Sequence, residues 1–252
     1  MPKKNFKCTA AYKGTSFYGW QRQNDFLTVQ GIIEYALEKH FGYAVKTMGA
    51  SRTDAGVHAK GQVFNFFADT KLAGENIKPI LNNLLPDEIR ITGVREVNEK
   101  FKSRYNVRKK FYRYVIYNSG FIPPFFRENA WHVNKPLDVK KMEEIFPFFE
   151  GVKDYFSFSR SGSEAVQFER RVDGIKIKKN GKWITLDFFG KGFLYQQIRR
   201  MAAVFAAYAA GDIGREIISD MFAVRDRSVF RESAPACGLY LVKIIYEGKY
   251  NV

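Results

Sequence analysis

The pattern of apolar and polar residues predicts β-strands separated by helices along the chain. Segments of strand type, rich in β-branched and aromatic residues with partial alternation, are KNFKCTAAY, YAVKTM, QVFNFF, IRITGVREV, KFYRYVIYN and GLYLVKIIY. A further segment, VDGIKIKKNGKWITLDFFG, predicts a hairpin, because the pair Asn180-Gly181 is a strong signal for a two-residue turn.

Apolar residues that recur every three or four positions predict helices in the first part of the chain. This spacing covers Val29–Phe41, and Thr28 before it is a favourable N-cap. A second, shorter helix is predicted over NIKPILNNLLP and should end near Pro86.

Two more helices are predicted further along the chain. PLDVKKMEEIFPFFEG has a helical pattern with Asp138 as its cap, Gly151 as its stop and a break near Pro147. The most regular pattern covers residues 194–210 and ends at Gly211. Its apolar face consists of Ile198, Met201, Ala202, Phe205, Ala206 and Ala209.

The order of these elements predicts an α+β fold made of two similar halves. Each half is expected to contain a mostly antiparallel sheet with helices on one face. A boundary near residue 105 gives an N-terminal half of residues 1–105, which carries a polar loop described below, and a C-terminal half of residues 106–252. No low-complexity linker separates the two halves in the sequence.

The composition favours a polyanionic partner. The 252 residues include 41 Lys and Arg against 26 Asp and Glu, a net charge of +15. Nucleic acid fits this excess best and an anionic membrane second, while a generally basic protein is the alternative. The 24 Phe and 14 Tyr, interleaved with basic residues in RKKFYRYVIYN, suit base stacking, although strand cores use the same rings.

Cysteine usage and hydropathy indicate a cytoplasmic protein without a membrane span. Cys8 and Cys237 lie near opposite ends of the chain and show no metal-binding or redox spacing, so two reduced thiols are expected. The N-terminus lacks an apolar segment of signal-peptide length, and no run of about 18 apolar residues occurs.

Several common chemistries lack their motifs. GTSFYGW has the first spacing of a phosphate-binding loop, but Trp20 and Gln21 stand where that loop needs a lysine and a hydroxyl residue. GKG at residues 190–192 lacks the third glycine of a dinucleotide loop, and no G-x-S-x-G elbow is present. Because the three histidines lie far apart in sequence, a His-rich metal site is not expected.

The segment GASRTDAGVHAKGQ, residues 49–62, is the best candidate for a site, because it places one carboxylate in a polar loop between two strands. Asp54 could act as a nucleophile, as a general base or as both, and Arg52, two residues away, could hold it in its charged form. The alternative is a turn aspartate that accepts backbone N–H bonds beside a solvated Arg52. Spacing alone leaves both interpretations open.

Neighbouring residues suggest further contacts. His58 is better explained as a hydrogen-bonded structural histidine than as a proton carrier. Lys60 is expected to face solvent or phosphate. Trp20, Gln21 and Arg22 could contact RNA, and packing is the alternative for Trp20.

The segment SRTDAGVHAKGQV resembles the catalytic motif of the TruA-type tRNA pseudouridine synthases. Other segments resemble the same family in the same order over nearly the whole chain: YKGTSFYGWQRQ, LNNLLPDEI, SRYNVRKKFYRYVIYN, GFLYQQIRRMAA, VRDRS and APACGLYLVKIIY. One departure is Ser51, where glycine is frequent in the family, and a serine is compatible with the same loop.

The resemblance implies an isomerase that converts uridine to pseudouridine in RNA with no cofactor or metal. It implies that Asp54 is the catalytic aspartate, as nucleophile or as base. It further implies that Tyr112 packs on the target uracil, with proton transfer as a second role, and that Arg199 pairs with the catalytic carboxylate. Arg52 matches the arginine associated with moving the target base out of its stack.

The resemblance also implies a homodimer, an RNA-binding cleft between the two halves, and tRNA as the substrate, at positions 38–40 of the anticodon stem-loop. The same isomerisation on ribosomal RNA or at another tRNA site is the first alternative, because RNA recognition depends largely on shape. A non-catalytic RNA-binding protein on the same scaffold is the second.

Overall fold

The computed structural model describes residues 3–162 and 165–248, and the chain folds into two compact units. Unit 1 comprises Met1–Lys110 and Tyr240–Val252, and unit 2 comprises Phe111–Leu239. Each unit combines strands with helices, and most of the strand pairs are antiparallel. The predicted α+β class with mostly antiparallel strands is therefore confirmed.

Unit 1 contains a sheet in which β1 lies between β4 and β3 and is antiparallel to both. β2 adds to β3 in the antiparallel sense, and β10 pairs with β3 in parallel through Tyr240 opposite His58. The strands are β1 (Lys3–Tyr12), β2 (Thr47–Gly49), β3 (His58–Asp69), β4 (Ile89–Val97) and β10 (Leu239–Tyr246).

Both predicted helices of unit 1 form, although the second begins at Gly74 and not at Asn76 as predicted. In α1 (Val29–Phe41) the hydroxyl of Thr28 accepts a hydrogen bond from the backbone N–H of Gly31, and Gly42 ends the helix with a φ of 77°. In α2 (Gly74–Leu84) the helix ends before Leu85, which is extended because it precedes Pro86.

Unit 2 contains a sheet with the order β5, β9, β8, β7, and β6 adds to β5 in parallel. The strands are β5 (Val107–Asn118), β6 (Trp131–Val133), β7 (Gly151–Asp154), β8 (Glu169–Asn180) and β9 (Trp183–Gly190). The helices are α3 (Val139–Glu144), α4 (Phe146–Phe149), α5 (Gln197–Ala210) and α6 (Arg215–Ala223).

Helix α5 forms the centre of the core of unit 2. Its predicted apolar face is buried throughout, and Phe205 contacts rings from α4 and β9, Phe149 at 4.9 Å and Phe188 at 6.2 Å between centroids. The helix begins at Gln197 and not at residue 194 as predicted, because Gln196 adopts a left-handed conformation with a φ of 59°.

Other boundaries differ from the predictions by small amounts. The predicted break near Pro147 divides one helix into α3 and α4, with Ile145 between them. The predicted hairpin forms, but Asn180 pairs with Trp183, so the two loop residues are Gly181 and Lys182 and not Asn180-Gly181. Gly181 has a φ of 56°, which places the glycine at the first loop position.

Within the described part of the chain, none of the helices combines the length and the apolar character needed to cross a membrane.

Candidate active site

Asp54 lies on a tight turn between β2 and β3. The backbone N–H of Val57 donates to the carbonyl of Asp54 at 3.1 Å, and Gly56 has the positive φ, 78°, that a turn of this kind needs at its third residue. The carboxylate is half-buried, while Arg52 is exposed. The polar loop is shorter than predicted, because β3 begins at His58 and not at Gln62.

The segment before α1 holds this turn from one side. The N–H of Trp20 donates to the carbonyl of Thr53 at 3.0 Å, and the N–H of Gly56 donates to the carbonyl of Phe17 at 3.2 Å. The hydroxyls of Thr53 and Tyr12 are 2.7 Å apart and hydrogen-bonded. The residues on both sides of Asp54 are thus fixed by backbone and side-chain hydrogen bonds.

Two glycines of GTSFYGW allow this close approach. A Cβ at Gly14 would lie 2.0 Å from the carbonyl oxygen of Val57, and a Cβ at Gly19 would lie 2.5 Å from that of Thr53. Gly19 also has a φ of 85°, which side chains rarely adopt. The glycines therefore serve to position the aspartate turn. The comparison of GTSFYGW with a phosphate-binding loop did not predict this role.

The other end of the loop is held by Lys110 and Gln62. The ammonium of Lys110 donates to the carbonyl of Ala50 at 2.8 Å and to the hydroxyl of Ser51 at 3.1 Å. The side-chain amide of Gln62 donates to the carbonyl of Ser51 at 2.6 Å. Burial, together with the charge of Arg104, lowers the pKa of Lys110 to about 8.

His58 has the structural position that the sequence favoured. It is buried, its Nδ1 accepts the backbone N–H of Gly14 at 3.0 Å, and its ring stacks on Tyr240 at 4.7 Å. Lys60 is exposed, and its ammonium lies 5.6 Å from the centre of the Tyr240 ring.

Of the two roles considered for Trp20, the structure shows the packing one. Its side chain is only 2% exposed and lies against the rings of Tyr12 and Phe64, with centroids 6.1 and 5.8 Å apart. Gln21 and Arg22, which follow it, are exposed. The guanidinium of Arg22 pairs with the buried carboxylate of Glu34 at 3.2 Å.

In unit 2, Tyr112 lies on β5 and Arg199 on α5. Tyr112 is buried, and its ring meets Phe193 edge to face at 5.5 Å. Arg199 is half-buried, and its Nε donates to the carbonyl of Ala234 at 2.7 Å, while the N–H of Ala234 donates back to the Arg199 carbonyl at 3.1 Å.

The next residue, Arg200, links α5 to four backbone carbonyls of unit 2, and the sequence did not predict this role. Its buried guanidinium donates to the carbonyls of Ser157 at 3.1 Å, Arg227 at 3.0 Å, Arg231 at 3.3 Å and Phe230. Burial, with the charge of Arg227, lowers the pKa of Arg200. The helical spacing of α5 could not have indicated it, because residue 200 lies on the side of the helix opposite the predicted apolar face, and it is nevertheless buried.

A half-buried carboxylate on a hydrogen-bonded turn, two residues after an exposed arginine, suits attack on a nucleotide or removal of a proton from one. A sequence profile of the tRNA pseudouridine synthase family matches residues 9–106 and 147–247. Fold, site and profile together define the class of the protein, an RNA pseudouridine synthase, which is an isomerase.

Individual relatives cover nearly the full chain. A tRNA pseudouridine synthase A of Ruminiclostridium cellulolyticum is 38% identical over 244 residues, 96% of this chain and all of the relative. A tRNA pseudouridine synthase A of Thermoanaerobacter sp. (strain X514) is 36% identical over 243 residues, again 96% of this chain and all of the relative. The chain belongs to the tRNA pseudouridine synthase family.

Among solved structures, a chain of the archaeal box H/ACA sRNP Nop10-Cbf5 complex aligns with 91% of this chain and 60% of its own length. The TM-score is 0.34 and the sequence identity is 10%, a similarity too low to support a structural argument.

Proposed function

We propose that the protein isomerises uridine to pseudouridine in the anticodon stem-loop of tRNA, at positions 38–40. The observation that carries the proposal is Asp54, held on a turn whose neighbouring residues are fixed by Trp20, Phe17 and Tyr12. The family supplies the reaction and the class of RNA.

The reaction needs no net change in composition. The bond between N1 of uracil and C1′ of ribose breaks, a bond between C5 and C1′ forms, and the C5 proton is exchanged for one on N1. Asp54 acts as the nucleophile toward the ribose or the base, or as the base that starts elimination. The target nucleotide has to leave its stack first, because C1′ is shielded within a paired stem.

The resemblance supports the remaining roles. Tyr112 packs on the target uracil, and Arg199 stabilises the charged form of the catalytic carboxylate. Arg52 moves the target base out of its stack. Lys60, Gln21 and Arg22 are exposed and contribute contacts to the RNA backbone.

Substituting the aspartate tests the chemistry separately from binding. We expect Asp54→Asn to abolish pseudouridine formation and to leave the affinity for unmodified tRNA within a few fold of wild type, since phosphate contacts dominate affinity. Product is measured by mapping pseudouridines at nucleotide resolution, and affinity by filter binding. A fully active Asp54→Asn enzyme would remove Asp54 from the mechanism.

The same mapping tests the substrate. Unmodified tRNA and ribosomal RNA transcripts are each incubated with the wild-type protein, and product at positions 38–40 of tRNA is expected. Product in ribosomal RNA or elsewhere in tRNA would assign the same chemistry to another target. Saturable tRNA binding with no product from the wild-type protein would favour a non-catalytic RNA-binding role.

We also propose a cytoplasmic homodimer. The family resemblance supports the dimer, and the free thiols of Cys8 and Cys237 suit a reducing compartment. Light scattering would give twice the chain mass of 29.2 kDa for a dimer, and a mass of one chain at micromolar concentration would contradict it.

A further inference from the structure

Two aromatic side chains of the segment between β1 and α1 are exposed to solvent. Tyr18 is 55% exposed and Phe26 is 45% exposed, yet their rings stack on each other with centroids 4.2 Å apart and planes 30° apart. Because the two rings are already stacked on each other, the outer face of each ring can stack with one further flat apolar group.

The backbone holds this pair in place. The N–H of Tyr18 donates to the carbonyl of Leu27 at 2.8 Å, and the side-chain amide of Gln23 donates to the carbonyl of Tyr18 at 3.2 Å. Gln23 and Phe26 also form an antiparallel bridge. The segment is therefore a closed loop that presents the two rings with little conformational freedom left to lose on binding.

The pair adjoins the turn that carries Asp54. The residue before Tyr18, Phe17, accepts the N–H of Gly56, and the residue two positions after it, Trp20, donates to Thr53. Both hydrogen bonds join this loop to the turn of Asp54, one on each side of the aspartate. The loop that presents the two exposed rings is thus joined to the Asp54 turn on both sides of the aspartate.

The charge on the loop does not favour a purely electrostatic contact. Residues 17–27 carry one basic side chain, Arg22, and one acidic side chain, Asp25, both exposed. Affinity contributed by the two rings themselves comes from stacking and from burial of their faces, in addition to any backbone contact of Arg22. Unpaired RNA bases offer the matching flat surface, and stacking on an aromatic ring tolerates any base.

We propose that Tyr18 and Phe26 form a stacking site for an unpaired base of the substrate RNA next to the target uridine. The proposal rests on the proposed function, because it requires that RNA be bound at Asp54. The occupant is a nucleobase outside the catalytic pocket, so the site adds affinity and register but takes no part in the chemical step.

Paired substitutions at both rings test the site. Tyr18→Ala and Phe26→Ala should each weaken binding of unmodified tRNA roughly 5- to 150-fold, the range for loss of one base–aromatic stack. Tyr18→Phe and Phe26→Tyr keep the rings and should bind like wild type. Tyr35→Ala is the matched control, because Tyr35 is a similarly exposed ring of unit 1 (59%) on α1.

Three readouts separate stacking from other roles. The loss in Tyr18→Ala should be equally large at low and high salt, because no phosphate contact is removed. The single-turnover rate at saturating RNA should stay near that of wild type, so that the defect lies in KM. Thermal unfolding of each variant should match wild type, as expected for exposed side chains.

The result that overturns the proposal is wild-type affinity in both alanine variants. A loss of RNA affinity accompanied by dissociation of a dimer would also overturn it, because the rings would then contact a second copy of the chain. Failure of the proposed function would look different: wild-type protein would form no pseudouridine in tRNA, and the binding comparison could still be made in the Asp54→Asn background.

Discussion

Lys110 is a lysine that the fold keeps partly out of water while it holds the loop of Asp54. Its ammonium donates to Ala50 and Ser51, and burial with the charge of Arg104 lowers the pKa of Lys110 to about 8 from an ordinary value of 10.5. In the unfolded chain the group returns to its ordinary pKa. Between these two values the unfolded chain binds a proton that the folded chain has released.

This difference predicts how stability depends on pH. The free energy of unfolding contributed by Lys110 should rise from about pH 8 to about pH 10.5, by as much as about 3 kcal/mol. Lys110→Met lacks this contribution, so wild type should gain more stability than the variant on the alkaline side. Urea unfolding of both proteins at several pH values measures the difference, and parallel pH profiles would contradict it.

At the scale of structural elements, the turn of Asp54 depends on the close approach of the segment before α1. Gly19→Ala would place a methyl group 2.5 Å from the Thr53 carbonyl at a positive φ, so the turn has to move. We expect a loss of about 10- to 100-fold in kcat/KM, the effect of a small misplacement of a reacting group. Steady-state kinetics with unmodified tRNA measures it.

Gly42→Ala is the control for backbone strain alone. Gly42 has a similar φ of 77° at the end of α1, but a methyl group there would meet nothing within 4 Å. This variant should lose about 1 to 2 kcal/mol of stability and keep wild-type kcat/KM. Equal losses of activity in both variants would show that strain, and not contact with Thr53, explains the effect.

Elements with strong end signals could be predicted from the sequence, while two short strands and one helix could not. The limits of α1 follow from the sequence residue for residue, because Thr28 caps its start and the helical spacing of apolar residues ends at Phe41. β6 and β7, of three and four residues, were missed because they offer too few positions to show a period, and α6 was missed as well. The start of α5 depends on the conformation of Gln196, for which the sequence holds no signal.

The residues of the candidate site also differ in how well the sequence predicts them. Asp54 and Arg52 are predicted from the sequence because they lie within one short, distinctive motif. Tyr12, Gly19 and Lys110 support that motif from distant parts of the chain, and they do so through backbone carbonyls and a shared hydroxyl contact. The backbone contacts leave no pattern in the sequence, because any residue supplies a carbonyl, and the hydroxyl contacts join residues that lie far apart in the chain.

At the scale of the whole molecule, the net charge of +15 predicts that RNA binding weakens as the salt concentration rises. Each phosphate that the protein neutralises releases condensed counterions, so affinity falls as a power of the salt concentration. Raising salt from about 50 to about 200 mM should weaken tRNA binding by more than about tenfold, which neutralisation of only two phosphates would produce. Filter binding over a salt series gives the slope.

Single substitutions show which side chains contribute to the salt dependence of RNA affinity. Lys60→Met removes an exposed cation on β3, the strand that follows the Asp54 turn, and should lower the slope by about one, the value for one phosphate contact. Tyr18→Ala should leave the slope unchanged while it lowers affinity at every salt concentration. A flat salt series for the wild-type protein would contradict an electrostatic origin of RNA affinity, whatever the variants show.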